Sequence, residues 1–191
     1  MTAAAQREAL FEYLLRLGDN CLILGHRLSE WCGKGPVLEE DIALSNIALD
    51  LVGQSKLWLE LAAKVEGTGR DADALAFKRD VLDWRNFLLV EQPNGDFAET
   101  IVRQFLFDCF HVELLQALTK SAHQDIADIA ADQGGGLSSP SQRPVADPSW
   151  RRYGRKPGSG AGRAGKALGL YARAVRWRCH RRDDDAGRDR N

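Results

Sequence analysis

Leu10, Leu14, Leu17, Cys21, Leu24, Leu28 and Trp31 recur at spacings of three and four, the repeat that gathers apolar side chains on one face of an α-helix. This pattern predicts a long first helix over about 4–32, stopped at Gly33-Lys34-Gly35-Pro36, where glycine and proline end a helix. A second stripe, Leu44, Ile47, Leu51, Gln54, Trp58, Leu61 and Val65, predicts a helix over about 39–65. It opens on Glu39, Glu40 and Asp41, whose charges complement the positive end of the helix dipole, and closes at Gly67-Thr68-Gly69. A shorter helical stretch over about 72–90 carries Leu75, Phe77, Leu82, Trp84, Phe87 and Leu88 before the turn Gln92-Pro93-Asn94-Gly95.

The next helix, about 96–121, starts with Asp96 as N-cap and Glu99 three residues on, the capping-box arrangement that satisfies orphan backbone N–H groups. Its stripe is Ala98, Ile101, Phe105, Asp108, Val112 and Leu115. A further helix begins at Gln124-Asp125-Ile126-Ala127-Asp128-Ile129-Ala130 and finds no continuation after Ala131. Almost no strand pattern interrupts residues 1–131, so three long stripes joined by short connections predict an all-α fold. Antiparallel helices crossing at shallow angles form a bundle, here an incomplete one.

Charge divides the chain at the same place. Lys+Arg total 26 against 27 Asp+Glu, but residues 1–131 carry net −9 and residues 132–191 net +8. The second stretch holds 12 Arg, ten Gly and four Pro, and no Glu, Ile or Phe. Such a composition cannot bury enough apolar surface to offset chain entropy, which predicts a disordered basic tail. No run reaches the roughly 18 to 20 apolar residues of a membrane helix, and the N-terminus lacks a basic region followed by an apolar core, so a cytoplasmic protein without membrane contact is expected. Cys21, Cys32, Cys109 and Cys179 show neither C-x-x-C nor zinc-ligand spacing, and the first three read as buried thiols of helices.

Two residues interrupt the apolar stripes: Gln54 and Asp108 fall near the middles of their helices at core-facing positions. An unpaired buried amide or carboxylate costs about 1–3 kcal/mol, so each needs a partner. His111, three residues after Asp108, is one candidate, and Asn20 and Asp50 are others. A carboxylate and a histidine three apart also form half of a di-iron ligand set, because they project from one helix face. The second helix, however, offers Asp50-Leu51-Val52-Gly53-Gln54 where further ligands would sit; leucine cannot ligate iron and an amide is a poor ligand. The residues therefore favour a satisfied buried network of Asn20, Asp50, Gln54, Asp108 and His111 over a metal site. His26 and Glu30 read as a solvated pair, and Trp31, Trp58 and Trp84 as core or interface anchors. No phosphate loop, G-x-S-x-G or H-E-x-x-H motif is present, which leaves nucleotide and nucleophilic chemistry without support.

Four segments carry a family resemblance: Leu15-Arg16-Leu17-Gly18-Asp19-Asn20-Cys21-Leu22, Leu28-Ser29-Glu30-Trp31-Cys32-Gly33, Asn46-Ile47-Ala48-Leu49-Asp50-Leu51-Val52-Gly53-Gln54, and Asn86-Phe87-Leu88-Leu89-Val90-Glu91-Gln92-Pro93-Asn94-Gly95-Asp96-Phe97-Ala98. In this order, through about Ala131, they resemble the C subunit family of the ring 1,2-phenylacetyl-CoA epoxidase, a multicomponent monooxygenase of phenylacetate catabolism. The resemblance implies a ferritin-like fold and a non-catalytic structural subunit that binds no cofactor itself. It also implies a hetero-oligomer with a homologous A subunit, which carries the di-iron site and epoxidises the aromatic ring, and a reductase that supplies NADPH electrons. In the catalytic relative the second-helix motif looks like Asp-Glu-Ala-Gly-His, with Glu and His as iron ligands; Leu51 and Gln54 stand at those positions here. No catalytic, cofactor-binding or metal-ligating residue is assigned.

The resemblance stops where the composition changes. A coding sequence compatible with Asp132 to Ala146, read one base later, spells IKEVGYHLRRSDQW, a plausible continuation of the helix begun at Ile126 and similar to what the family has there. The tail thus reads as the family's C-terminal half in a shifted frame, which accounts for it better than a basic nucleic-acid arm does. Two rival functions remain distinguishable. Stoichiometric iron in the purified chain would favour a metal oxidase acting through Asp108 and His111, and salt-sensitive DNA binding lost with 132–191 would favour a nucleic-acid-binding protein.

Overall fold

The computed structural model describes residues 2–137, which lie within one compact unit. The expectations for the tail beyond Leu137 fall outside the described residues. Among the described residues every regular element is helical: α1 (Ala3–Ser29), α2 (Leu38–Glu66), α3 (Ala72–Phe77), α4 (Leu88–Glu91), α5 (Phe97–Leu118) and α6 (Gln124–Leu137). None of these helices is long and apolar enough to cross a membrane.

Local chemistry sets the ends of the long helices. Thr2 caps α1 by accepting from the Ala5 N–H (3.3 Å). α1 stops at Ser29, short of the expected 32, because the chain tightens into i→i+3 turns, with Trp31 N–H donating to Leu28 O and Cys32 N–H to Ser29 O. The acidic first turn of α2 is as expected, and Gly67 ends that helix at φ 72°, a left-handed value that favours glycine. Asp96 caps α5 by accepting from the Glu99 N–H (2.8 Å).

α1 and α2 pack antiparallel at close range. A Cβ on Gly18 would lie 2.8 Å from Leu59 Cδ2, and one on Gly25 would lie 3.1 Å from Ala48 O. These glycines, one heptad apart, set a small spacing between the two backbones. Two apolar layers result. One joins Leu14, Leu17, Trp58, Leu61, Leu75, Leu115 and Ile126; the other joins Cys21, Leu24, Leu28, Leu44, Leu51, Val90 and Phe107.

Four expectations need correction. Residues 72–90 do not form one helix: α3 ends at Phe77, a 3₁₀ turn spans Val81–Asp83, and Phe77, Leu82 and Leu88 are exposed. Side chains of α1 capture this backbone, since Arg85 N–H donates to Asp19 Oδ2 (2.9 Å) and Phe87 N–H to Asn20 Oδ1 (2.8 Å). In α5 the buried stripe is Thr100, Arg103, Gln104, Phe107, His111 and Leu115, and the predicted Ala98, Ile101, Phe105, Asp108 and Val112 lie half-buried beside it. Only Cys21 of the described thiols is buried: Cys32 lies beyond the end of α1, and Cys109 lies on the outward side of α5. Finally, α6 continues past Ala131 to Leu137, with Gln133 buried and its amide directed to Gln54 O (3.5 Å) on α2.

Candidate functional site

A polar layer separates the two apolar layers. Gln54 follows Leu51 of one layer by three residues and precedes Trp58 of the other by four, and His111 stands likewise between Phe107 and Leu115. His111 Nε2 lies 2.9 Å from Gln54 Oε1. The Cys21 thiol also donates to that oxygen (3.9 Å), so the imidazole proton that meets it sits on Nε2. Phe107 stacks on the imidazole with ring centroids 5.0 Å apart. Burial pushes the His111 pKa down to about 4 and the Cys21 thiol up to about 12. Near neutral pH the layer therefore holds a neutral imidazole and a protonated thiol, neither a thiolate nucleophile nor an imidazolium acid.

The remaining predicted members go elsewhere. Asp108 accepts from Gln104 Nε2 (2.7 Å) on its own helix, and burial raises its pKa to about 7. Asn20 donates to Arg16 O (2.6 Å) and accepts from the Phe87 backbone. Asp50 lies on the exposed side of α2. Of the five candidates, Gln54 and His111 meet directly.

Sequence reading missed Cys21 and Gln133 as polar partners of Gln54, because both occupy positions that fit an apolar stripe or a chain end. It also missed two buried clamps. Asp19 and Arg79 form an ion pair whose side chains are 0% and 2% exposed; a charged residue inside the run Leu17-Gly18-Asp19-Asn20-Cys21 was the available sign. Arg103 donates to Gln92 O (2.6 Å) and Asn94 Oδ1 (2.6 Å), while Asn94 Nδ2 donates to Arg27 O (2.7 Å). Trp31 Nε1 donates to Thr100 Oγ1 (3.0 Å), which donates on to Asn94 O (2.8 Å). Thus the segment Gln92-Pro93-Asn94-Gly95 serves as a lock between the end of α1 and the start of α5.

These residues do not fit a carboxylate-bridged di-iron centre. Leu51 is apolar and 4% exposed, Gln54 is an amide already accepting two hydrogen bonds, and the His111 Nε2 proton occupies the nitrogen that faces it. Among the described residues no group of three or more His, Cys, Asp or Glu is placed to hold a metal ion. The hydrogen bonds of Gln54 to Cys21, His111 and Gln133 link α2 to α1, α5 and α6.

Residues 1–132 match the family described as phenylacetic acid catabolic protein. Over 122 residues the chain is 54% identical to the C subunit of the 1,2-phenylacetyl-CoA epoxidase of Escherichia coli (strain K12), a stretch covering 64% of this chain and 49% of that protein. The chain therefore spans about half the length of the curated relative that it matches.

Proposed function

Because this chain belongs to the phenylacetic acid catabolic protein family, whose fold is ferritin-like, we propose that it is a non-catalytic structural subunit of the monooxygenase that epoxidises the ring of phenylacetyl-CoA. Its partner in this reading is a homologous catalytic A subunit in a cytoplasmic hetero-oligomer. The di-iron centre belongs to that partner, and a reductase feeds it NADPH electrons. The observation that supports the reading is the content of the polar layer: Leu51 and a hydrogen-bonded Gln54 stand where the catalytic relative's motif places iron ligands. A bundle without ligands that keeps its packing faces can still dock against its homologue.

The test is to purify the chain alone and with the A subunit, measure iron in each, and assay NADPH-dependent epoxidation of phenylacetyl-CoA. The expected result is iron only in the A subunit and a stable complex. Stoichiometric iron in the chain alone, lost in His111→Ala, would overturn the non-catalytic role.

The division of the chain follows from the same reading. Residues 1–131 are the N-terminal part of the bundle, and 132–191 are the family's C-terminal half read in a shifted frame. Resequencing across the codons for Ala131 and Asp132, with an intact mass of the expressed protein, decides this. An intact mass matching the 191-residue sequence overturns an error of reading and leaves a genuine alternative tail.

A further inference from the structure

Asn94-Gly95 is the single Asn-Gly pair of the chain; the other internal asparagines, Asn20, Asn46 and Asn86, precede Cys, Ile and Phe. That pair carries chemistry of its own. The backbone nitrogen of the following residue can attack the asparagine side-chain carbon, and a glycine there has no Cβ to shield its nitrogen. The fold cannot dispense with this glycine. Gly95 holds φ 57°, a left-handed value that favours glycine, and a Cβ on it would collide with the Glu99 carboxylate. The lock between α1 and α5 is therefore built on a dipeptide prone to rearrange.

The Asn94 side chain is held from both sides. Nδ2 donates to Arg27 O (2.7 Å) and to Glu30 Oε2 (2.9 Å) at the end of α1, which uses both of its hydrogens. Oδ1 accepts from Arg103 Nη2 (2.6 Å) on α5, and Asn94 O accepts from Thr100 Oγ1 (2.8 Å). Arg103 is itself buried and anchored by Gln92 O. An amide tied at both Nδ2 hydrogens and at Oδ1 cannot turn its Cγ toward the Gly95 nitrogen until bonds to α1 or α5 break. Gly95 is exposed, so water reaches the pair once they do.

We propose that Asn94 is a deamidation site gated by this lock, closed in the folded chain and released when the end of α1 lets go. In the reaction the bond from Gly95 N to Asn94 Cγ forms and the Cγ–Nδ2 bond breaks. The Gly95 N–H proton leaves with Nδ2 as ammonia, and water then opens the succinimide at either carbonyl to leave aspartate or isoaspartate. The product carries a carboxylate in place of the amide and has lost both donors. It still accepts from Arg103, but it meets Arg27 O and Glu30 Oε2 with oxygen against oxygen. Modification therefore frees the end of α1 and keeps the loop on α5.

The experiment incubates the full-length chain at mildly alkaline pH, folded and in concentrated urea. The tryptic peptide 86–103, with Asn86 as internal control, is followed by the mass gain of amide to acid. Folded wild type is expected to deamidate at Asn94 slower than the unfolded chain by about tenfold or more. Glu30→Ala, at a half-exposed position, removes one Nδ2 acceptor and is expected to speed the folded reaction about three- to tenfold. Glu30→Gln keeps an acceptor oxygen and is expected to stay near wild type. Asn94→Asp, equivalent to the product, is expected to speed backbone hydrogen exchange over residues 27–32 and to leave residues 97–103 unchanged. Equal rates for folded and unfolded wild type, or a Glu30→Ala rate no faster than wild type, overturn the gate. Unchanged exchange at the end of α1 in Asn94→Asp overturns the release.

Discussion

Asp19 and Arg79, sixty positions apart, form an ion pair closed off from solvent, and that pair fastens the irregular stretch after α3 to the middle of α1. Arg79 Nη1 donates to Asp19 Oδ2 at 3.0 Å, and Nη2 donates to Oδ1. The Arg85 backbone N–H donates a further bond to the same carboxylate, and Trp84 lies 4.7 Å beneath the Arg79 guanidinium. A bidentate pair with an extra backbone donor satisfies a carboxylate that burial would otherwise penalise heavily.

Removing one partner leaves the other charge buried and alone. Asp19→Leu is expected to destabilise the chain by about 3–5 kcal/mol, and Asp19→Leu/Arg79→Met by clearly less than the sum of its single changes. Urea denaturation of the four proteins of the cycle checks both. Additive effects would show that the pair contributes no coupling.

In the polar layer, Gln54→Leu keeps the volume and removes the acceptor shared by His111 and Cys21. The expected cost is about 1–3 kcal/mol, that of an orphaned imidazole N–H. Gln54→Leu/His111→Phe is expected to recover much of it, because both polar groups leave together. Chemical denaturation midpoints read the difference.

His111 and Asp108 make stability depend on pH in opposite senses. The pKa of His111 drops to about 4 on folding, so unfolded chains bind its proton first and stability falls as pH drops from about 6.5 to 4. The pKa of Asp108 rises to about 7, so folded chains hold its proton more tightly and stability falls as pH rises from about 4 to 7. The two slopes offset each other in the wild type. Relative to it, Asp108→Asn is expected to lose stability on acidification from pH 7 to 4.5, and His111→Gln to gain it, each by an amount on the order of 1–3 kcal/mol. Urea titrations at the two pH values measure these changes; parallel profiles for all three proteins would remove both groups from the linkage.

Two glycines separate packing from propensity. Gly18→Ala pushes a methyl group against Leu59 and is expected to cost about 1–3 kcal/mol, because the α1–α2 spacing must open. Gly53→Ala meets open space and is expected to stabilise the free chain by up to about 1 kcal/mol. Thermal melts of the two variants are expected to move in opposite directions.

The number and order of the long helices, the Asp96 cap, the acidic start of α2 and its glycine stop were legible along the chain, because each depends on residues within a turn of one another. The stripes of α1 and α2 were legible too, since each has a continuous apolar face at the three-four spacing, although α2 also exposes Leu38, Ile42 and Leu49. α5 has no single such face: Phe97, Ile101, Phe105, Leu106, Phe107, Phe110 and Val112 surround it, and more than one stripe satisfies the three-four spacing. Bonds made elsewhere chose among them, with Thr100 taken by Trp31, Arg103 by Gln92 and Asn94, and His111 by Gln54. Likewise the breaks in residues 72–90 came from Asp19 and Asn20 on another helix, which capture backbone N–H groups that a continuous helix would have kept. Sequence determined what forms locally, because helix geometry and capping act over three or four residues. Tertiary structure alone decided which face is buried and which polar groups meet, because those depend on partners well beyond one helical turn, from nine to seventy-nine positions away.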